Sequence, residues 1–179
     1  AEGDSLLSIE RLTGSQFIDT LEGDNGNNIL KGEGKGDTLR GLGGADTLRG
    51  GTGADLLLGG GGRDTFDFRV LAESLMDSYD VIGDLNANLD KIKGTQANAG
   101  RQVTSLGNTT GFTESEIADV LNTTDFVAGG VATFKFATQG GSTLTFLALN
   151  DLNSGFQANS DAIIDITGHT GSINNLTIV

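Results

Sequence analysis

GLGGADTLR (41–49), GGTGADLLL (50–58) and GGGGRDTFD (59–67) are three consecutive copies of one nine-residue pattern, and their reading decides the fold. Working outward, the register holds without a slip. Asp19, Asn28, Asp37, Asp46, Asp55 and Asp64 fall nine apart. Two residues after each stands a large apolar side chain: Leu21, Leu30, Leu39, Leu48, Leu57 and Phe66. Glycines open the units at Gly14, Gly23, Gly32, Gly41, Gly50 and Gly59. A flexible glycine-rich linker has no reason to keep aspartate and leucine in phase.

Each unit divides into a glycine turn and a short strand with one inward apolar residue, because side chains alternate faces along a strand. Two units make one coil, so residue i stacks on residue i+18. Leu21, Leu39 and Leu57 then form one ladder, facing Leu30, Leu48 and Phe66 from the opposite wall. Stacked strands lie about 4.8 Å apart, so the acidic residues stack as closely. At that spacing and an effective dielectric of about 20, each carboxylate pair repels by roughly 3 kcal/mol. A thin Leu/Phe core cannot offset several such terms and the entropy of ordering the glycines. Ca²⁺ resolves the conflict, since it takes six to eight oxygens from carboxylates and carbonyls.

This predicts about four sandwiched ions, at Asp19/Asp37, Asn28/Asp46, Asp37/Asp55 and Asp46/Asp64. Carbonyls of the turn glycines complete each shell: Gly32 and Gly34; Gly41, Gly43 and Gly44; Gly50, Gly51 and Gly53; Gly59, Gly60 and Gly62. Folding and metal binding then form one equilibrium. Asn28 is a neutral ligand, so its site is expected to be weak. Lys35 stands where a turn glycine belongs, which adds a backbone penalty beside Asp37. The first unit, GSQFIDTLE (14–22), lacks turn glycines after Gly14 and contributes half a site.

The expected fold is mainly all-β: a lead-in over 1–13, a parallel β-roll over 14–67, a capping segment with short helices over 68–125, and a small β-rich C-terminal domain over 126–179. VLAESLMD (70–77) reads as a helix covering the open end of the coil. Asp84 and Asp90 are candidate ligands of a terminal calcium site there, whereas Asp80 reads as a solvated turn residue. Thr113-Glu114-Ser115-Glu116 is a capping box opening an amphipathic helix. Val131–Phe136 and Thr143–Leu149 read as a hairpin across Gly140-Gly141, followed by strands at Ala162–Thr167 and Leu176–Val179. The tail's own apolar set is Phe134, Phe136, Leu144, Phe146, Leu147 and Ile164.

The repeats identify the chain as resembling the C-terminal calcium-binding region of RTX proteins. SIERLTGSQFIDTLEGDNGNNIL (8–30) is similar to the lead-in of RTX repeat blocks. RDTFDFRVLAESLMDSYDVIGDLNANLDKIK (63–93) resembles the segment that caps the roll in serralysin-type and epimerase-type regions. Residues 126–179 resemble the "bluetail" domain of cyanobacterial surface proteins. The start at Ala1, inside the lead-in, reads as a piece of a larger protein.

What the resemblance implies is export by a type I secretion apparatus and calcium-triggered folding at an extracellular or cell-surface location. Leu176-Thr177-Ile178-Val179 resembles the hydrophobic ending that closes such export signals, with Asn174-Asn175 where an acidic residue often stands. The alternatives are an adhesion module recognising a cell-surface polymer or glycan, and an accessory domain of a secreted protease or alginate epimerase.

Catalysis is not expected. Gly3-Asp4-Ser5-Leu6 spells the motif of GDSL hydrolases, but only two residues precede it, and Asp165 and His169 are four apart where that family has three. His169 is the only histidine, which excludes a multi-histidine zinc centre and makes a turn residue the better reading. Asp24-Asn25-Gly26-Asn27-Asn28 faintly resembles an EF-hand loop, yet its glycine is misplaced and the nonapeptide reading explains it better. A formal charge of −13 disfavours nucleic acid and anionic membrane surfaces as partners. The chain has no cysteine, so calcium is the staple that remains. No apolar run is long enough for a transmembrane segment.

Overall fold

The computed structural model describes residues 10–109, 111–122 and 126–179. The Gly3–Leu6 motif and most of the lead-in lie outside them. Nine short strands build the repeat region: β1 (Arg11–Thr13), β2 (Thr20–Glu22), β3 (Ile29–Gly34), β4 (Thr38–Arg40), β5 (Gly43–Gly44), β6 (Thr47–Thr52), β7 (Leu56–Leu58), β8 (Gly61–Gly62) and β9 (Thr65–Asp67). Seven of them alternate between two parallel walls, while β5 and β8 pair with each other as a separate two-stranded sheet. β1-β3-β6-β9 stack on one side and β2-β4-β7 on the other. The register is the predicted i/i+18: Leu21 lies beside Leu39, Leu39 beside Leu57, Leu30 beside Leu48 and Leu48 beside Phe66. Leu12 beside Leu30 carries the same ladder one step earlier.

Burying one such side chain stabilises by roughly 1.5–3 kcal/mol, so a coil of two strands gains little from its core alone. Backbone strain sharpens that shortage. Lys35 adopts a positive φ of 74°, as expected, and Glu33 and Leu42 join it at 87° and 77°. Each left-handed non-glycine residue costs on the order of 1–3 kcal/mol.

The end of the roll is covered differently from the expectation. Residues 70–77 do not form one helix. They make two single 3₁₀ turns, Leu71–Glu73 and Met76–Ser78, broken at Ser74, whose hydroxyl donates to the Ile163 carbonyl at 2.8 Å. The first turn is pinned to the side of the roll, where Arg49 grips Glu73 through two hydrogen bonds of 2.9 and 2.6 Å. The cap proper is a further coil of strand. β10 (Asp80–Ile82) pairs with β7, placing Ile82 beside Leu57, and β11 (Lys91–Lys93) pairs with β9, placing Ile92 beside Phe66. Backbone pairing satisfies an open edge in a way that a helix laid across it does not.

The remaining elements are β12 (Val103–Thr109), α1 (Glu114–Val120), β13 (Val131–Ala137), β14 (Thr143–Leu149), β15 (Ala162–Asp165) and β16 (Thr177–Ile178). The capping box at α1 forms as read, with Thr113 and Glu116 bonding each other's backbone amides. β13 and β14 make the predicted antiparallel hairpin, and β15 adds to it antiparallel. β15 also pairs in parallel with β10, so tail and roll share one eight-stranded sheet, β12-β13-β14-β15-β10-β7-β4-β2. β16 closes the other wall by pairing with β11.

The tail's apolar residues accordingly split by face. Leu147 and Ile164 pack into the roll's core, while Phe134, Phe136, Leu144 and Phe146 join a second cluster under α1. The single apolar set read from the sequence is therefore two, because alternate residues of one strand serve opposite faces.

Candidate metal centre

The aspartates stack as the pattern requires. Each carboxylate accepts, through Oδ1, the backbone amide of the residue one coil before it. The Asp19 amide donates to Asp37 at 2.8 Å, Asn28 to Asp46 at 2.7 Å, Asp37 to Asp55 at 2.7 Å and Asp46 to Asp64 at 2.9 Å. The chain then continues these columns beyond the repeats. The Asp55 amide donates to Asp80 at 2.9 Å and the Asp64 amide to Asp90 at 3.0 Å, although the separations are now 25 and 26 residues. Asp80 is 1 % exposed. The solvated-turn reading of Asp80 is thus corrected: it occupies the place that a seventh repeat's aspartate would take.

The second oxygens carry the chemistry. Oδ2 of Asp37, Asp46, Asp55 and Asp64 is buried and accepts no hydrogen bond. A buried acceptor without a partner is destabilising by roughly 1–3 kcal/mol, and more when charged. These oxygens do not point into side chains. A Cβ placed on Gly32 would overlap Asp37 Oδ2 and the Gly50 carbonyl oxygen, and one on Gly41 would overlap Asp46 Oδ2 and the Gly59 carbonyl oxygen. Carboxylate and carbonyl oxygens converge around bare glycine, which is the donor set of a hard divalent cation such as Ca²⁺. Among the described residues no three His, Cys, Asp or Glu side chains gather at one point. A buried carboxylate oxygen without a partner and a backbone carbonyl oxygen beside the same glycine are donors that a hard divalent cation takes, so the residues fit the ion.

The electrostatics show what the oxygens lack. Burial pushes Asp55 and Asp64 up to about 6, with the neighbouring Asp37 charge adding to the first and Asp90, Asp46 and Asp84 to the second. Burial, reinforced by the Asp55 charge, pushes Asp80 up to about 9. Asp37, Asp46 and Asp90 are also raised, burial being the main cause.

The first coil departs in two informative ways. Ser15, standing where the last two units have their second glycine (Gly51 and Gly60), donates its amide and hydroxyl to Asp19 Oδ2 at 2.6 and 2.8 Å. Asp24 occupies the same place in the next unit. Its amide donates to Asn28 Oδ1 at 2.9 Å, and its charge raises Asp46. The Asp24 carboxylate thus lies beside Asn28, accepting the Gly26 amide at 2.7 Å and Asn28 Nδ2 at 3.3 Å. Sequence reasoning weighs Asp80 and sets it aside as a turn residue, whereas it passes over Asp24, whose signal is an acidic residue directly after the opening glycine.

Asp84 lies near the end of the Asp64/Asp90 column, and its charge helps to raise both. Its oxygens accept the Gly59 and Gly60 amides at 3.0 and 2.8 Å, pinning the last turn. His169 follows the Thr167-Gly168 turn, with Nδ1 3.1 Å from the Ile166 carbonyl oxygen.

Residues 13–34 and 31–66 match the family model of the RTX calcium-binding nonapeptide repeat, in four copies. No curated protein matches the chain. Residues 13–66 are therefore RTX repeats; they bind Ca²⁺, and four copies are consistent with about four ions. Such repeats are structural calcium-binding modules typical of secreted extracellular proteins. Among the described residues no helix is long and apolar enough to cross a membrane.

Proposed function

We propose that this chain is the non-catalytic, calcium-binding region of a protein exported by a type I secretion system, unfolded during transit and folding when it meets calcium outside the cell. The observation that carries the reading is the row of buried, unpartnered Oδ2 atoms on Asp37, Asp46, Asp55 and Asp64, each beside an opening glycine. An uncompensated row of this kind opposes folding wherever divalent cations are scarce. When bound, the ion supplies the positive charge that lets the stacked carboxylates stay ionised.

The residues divide the work. Asp19, Asp24, Asn28, Asp37, Asp46, Asp55 and Asp64 offer oxygens in the six repeats, with the turn-glycine carbonyls beside them. Asp80 and Asp90 extend the two columns by one rung each, but both oxygens of Asp90 accept backbone amides, from Asp64 and Asn86, so the expected count stays at about four. Asp84, like Asp90, has both oxygens engaged by backbone amides and serves as a clamp on the last turn. Leu176 and Ile178 serve twice, in the export signal before folding and as core residues afterwards.

Far-UV circular dichroism from EDTA to about 10 mM calcium, with magnesium as control, tests this reading. A cooperative gain of β-structure with calcium alone is the expected result. A spectrum already complete in EDTA and unmoved by calcium would overturn it.

A further inference from the structure

We propose that two copies of the folded chain associate head to head through the first coil of the roll, each completing the other's two open sheet edges. β1 and β2 stand last in their sheets, and among the described residues nothing pairs with their outer edges. Beneath them Leu12 and Leu21 are only partly buried, unlike every later rung of the ladders. In the turn between them Phe17 and Ile18 are each 77 % exposed, side by side. The far end is unlike this one: one sheet runs on to β12 and the other stops at β16. Head-to-tail stacking therefore has no matching pair of edges, and association stops at two.

Geometry selects one arrangement. β1 and β2 lie on opposite walls and run in opposite directions. Because the coil climbs continuously, they differ in height by half the strand spacing, about 2.4 Å. A two-fold axis across the strands would set β1 against β1 and β2 against β2, with gaps unequal by about 4.8 Å, one whole strand spacing. A two-fold axis along the strands sets β1 against β2 of the second copy on both walls, at equal gaps. Only the second closes both edges together.

The side chains agree with that choice. β1 reads Arg11-Leu12-Thr13 and β2 reads Thr20-Leu21-Glu22, with the leucines inward and the flanking residues exposed. Antiparallel pairing that places Leu12 opposite Leu21 of the second copy sets Arg11 against Glu22 and Thr13 against Thr20. Symmetry repeats each pair. Opposite charges directly across an antiparallel pair are favourable, as are paired threonines. The axis runs between the Gly14–Asp19 turns of the two copies, which brings Phe17 and Ile18 against their own counterparts. The surface therefore pairs charge with charge and apolar with apolar in one arrangement.

Sedimentation equilibrium of the calcium-loaded chain, from about 5 to about 300 µM, tests this, because a contact of two short strands gives weak association. The mass is expected to rise from 18.4 kDa to twice that value. R11E and E22R should each hold it at the single-chain mass, and the double variant R11E/E22R should recover the rise. F17S, which leaves both strands untouched, should weaken association as well. Circular dichroism in calcium checks that each variant retains the roll. A folded wild-type chain that stays at 18.4 kDa throughout, or charge-reversed single variants that associate as the wild type does, would overturn the proposal.

Discussion

In the roll, short strands contribute one inward side chain each and the turns from Asp37 to Asp64 one buried carboxylate each; in the tail, β13, β14 and β15 bury residues on both faces and the aromatic rings meet directly. Phe146 illustrates the second regime. It lies 4.8 Å from Phe112, 5.3 Å from Tyr79 and 5.4 Å from Phe134, ring centre to ring centre. The contrast extends to buried acids. Asp161 is fully buried and pushed up to about 6, as Asp55 is, yet both its oxygens accept backbone amides, from Asp151 at 2.9 Å and Gln157 at 2.7 Å. Burial and a raised pKa are thus shared by a loop clamp and by the repeat aspartates. What sets the repeat apart is the second oxygen, which has no hydrogen in reach. A carboxylate waiting for a cation is recognised by the bond it fails to make.

That comparison breaks most visibly on chelation. With EDTA, amide hydrogen exchange should accelerate by several orders of magnitude across 20–67, while β13 and β14 keep protection from their antiparallel ladder and the aromatic cluster behind it. Equal loss of protection in both regions would mean that the shared sheet makes them one cooperative unit.

Within the roll, position should matter more than residue type. Asp46 stands between two rungs and Asp19 at the end of a column. Asp46→Ala should therefore raise the calcium midpoint of folding by roughly tenfold or more, and Asp19→Ala by only a few-fold. Equal shifts in the two titrations would sink the stacked i/i+18 assignment of ligands.

Acid should act in the opposite sense to its usual effect, and more gently. Asp55, Asp64 and Asp80 have folded-state values above the ~3.9 of an unfolded aspartate, so the calcium-free roll binds protons more tightly than its unfolded chain does. Their contribution to stability is fully present below about pH 4. It falls away as pH rises through about 6 for Asp55 and Asp64 and about 9 for Asp80. In EDTA, β-structure read by circular dichroism should accordingly be greater near pH 4.5 than near pH 7.5. A calcium-free chain that loses structure on acidification would contradict the assignment.

The roll was legible because its signal is periodic. Nine-residue phasing specifies the coil, the ladders and the aspartate columns together, and all of these were found in register. Legibility fails where the period does. Asp80 and Asp90 keep their columns only because the loops between repeats and cap are 25 and 26 residues around, lengths that no repeat count supplies. Asp24 was hidden for the converse reason, as an acidic residue where the repeat calls for glycine. The tail's strands could be read from alternation, but alternation does not say what each face meets. That Leu147 and Ile164 belong to the roll's core depends on β15 pairing with β10, a contact more than 80 residues apart in sequence.

The alternation of strands between two walls also has a mechanical meaning. Each coil touches only the coil before it and the coil after it, so tension applied at the first repeat detaches coils singly, beginning with β1 and β2. A coil of eighteen residues releases roughly 60 Å of chain when drawn straight. Peeling halts at the 3₁₀ turns, where Arg49 holds Glu73 and Ser74 reaches across to β15, because the next step must shear a sheet braced by the tail. The repeats thus behave as a stack of equal extensible links on a firm anchor. Their resistance to a steady pull is set by how much calcium surrounds them.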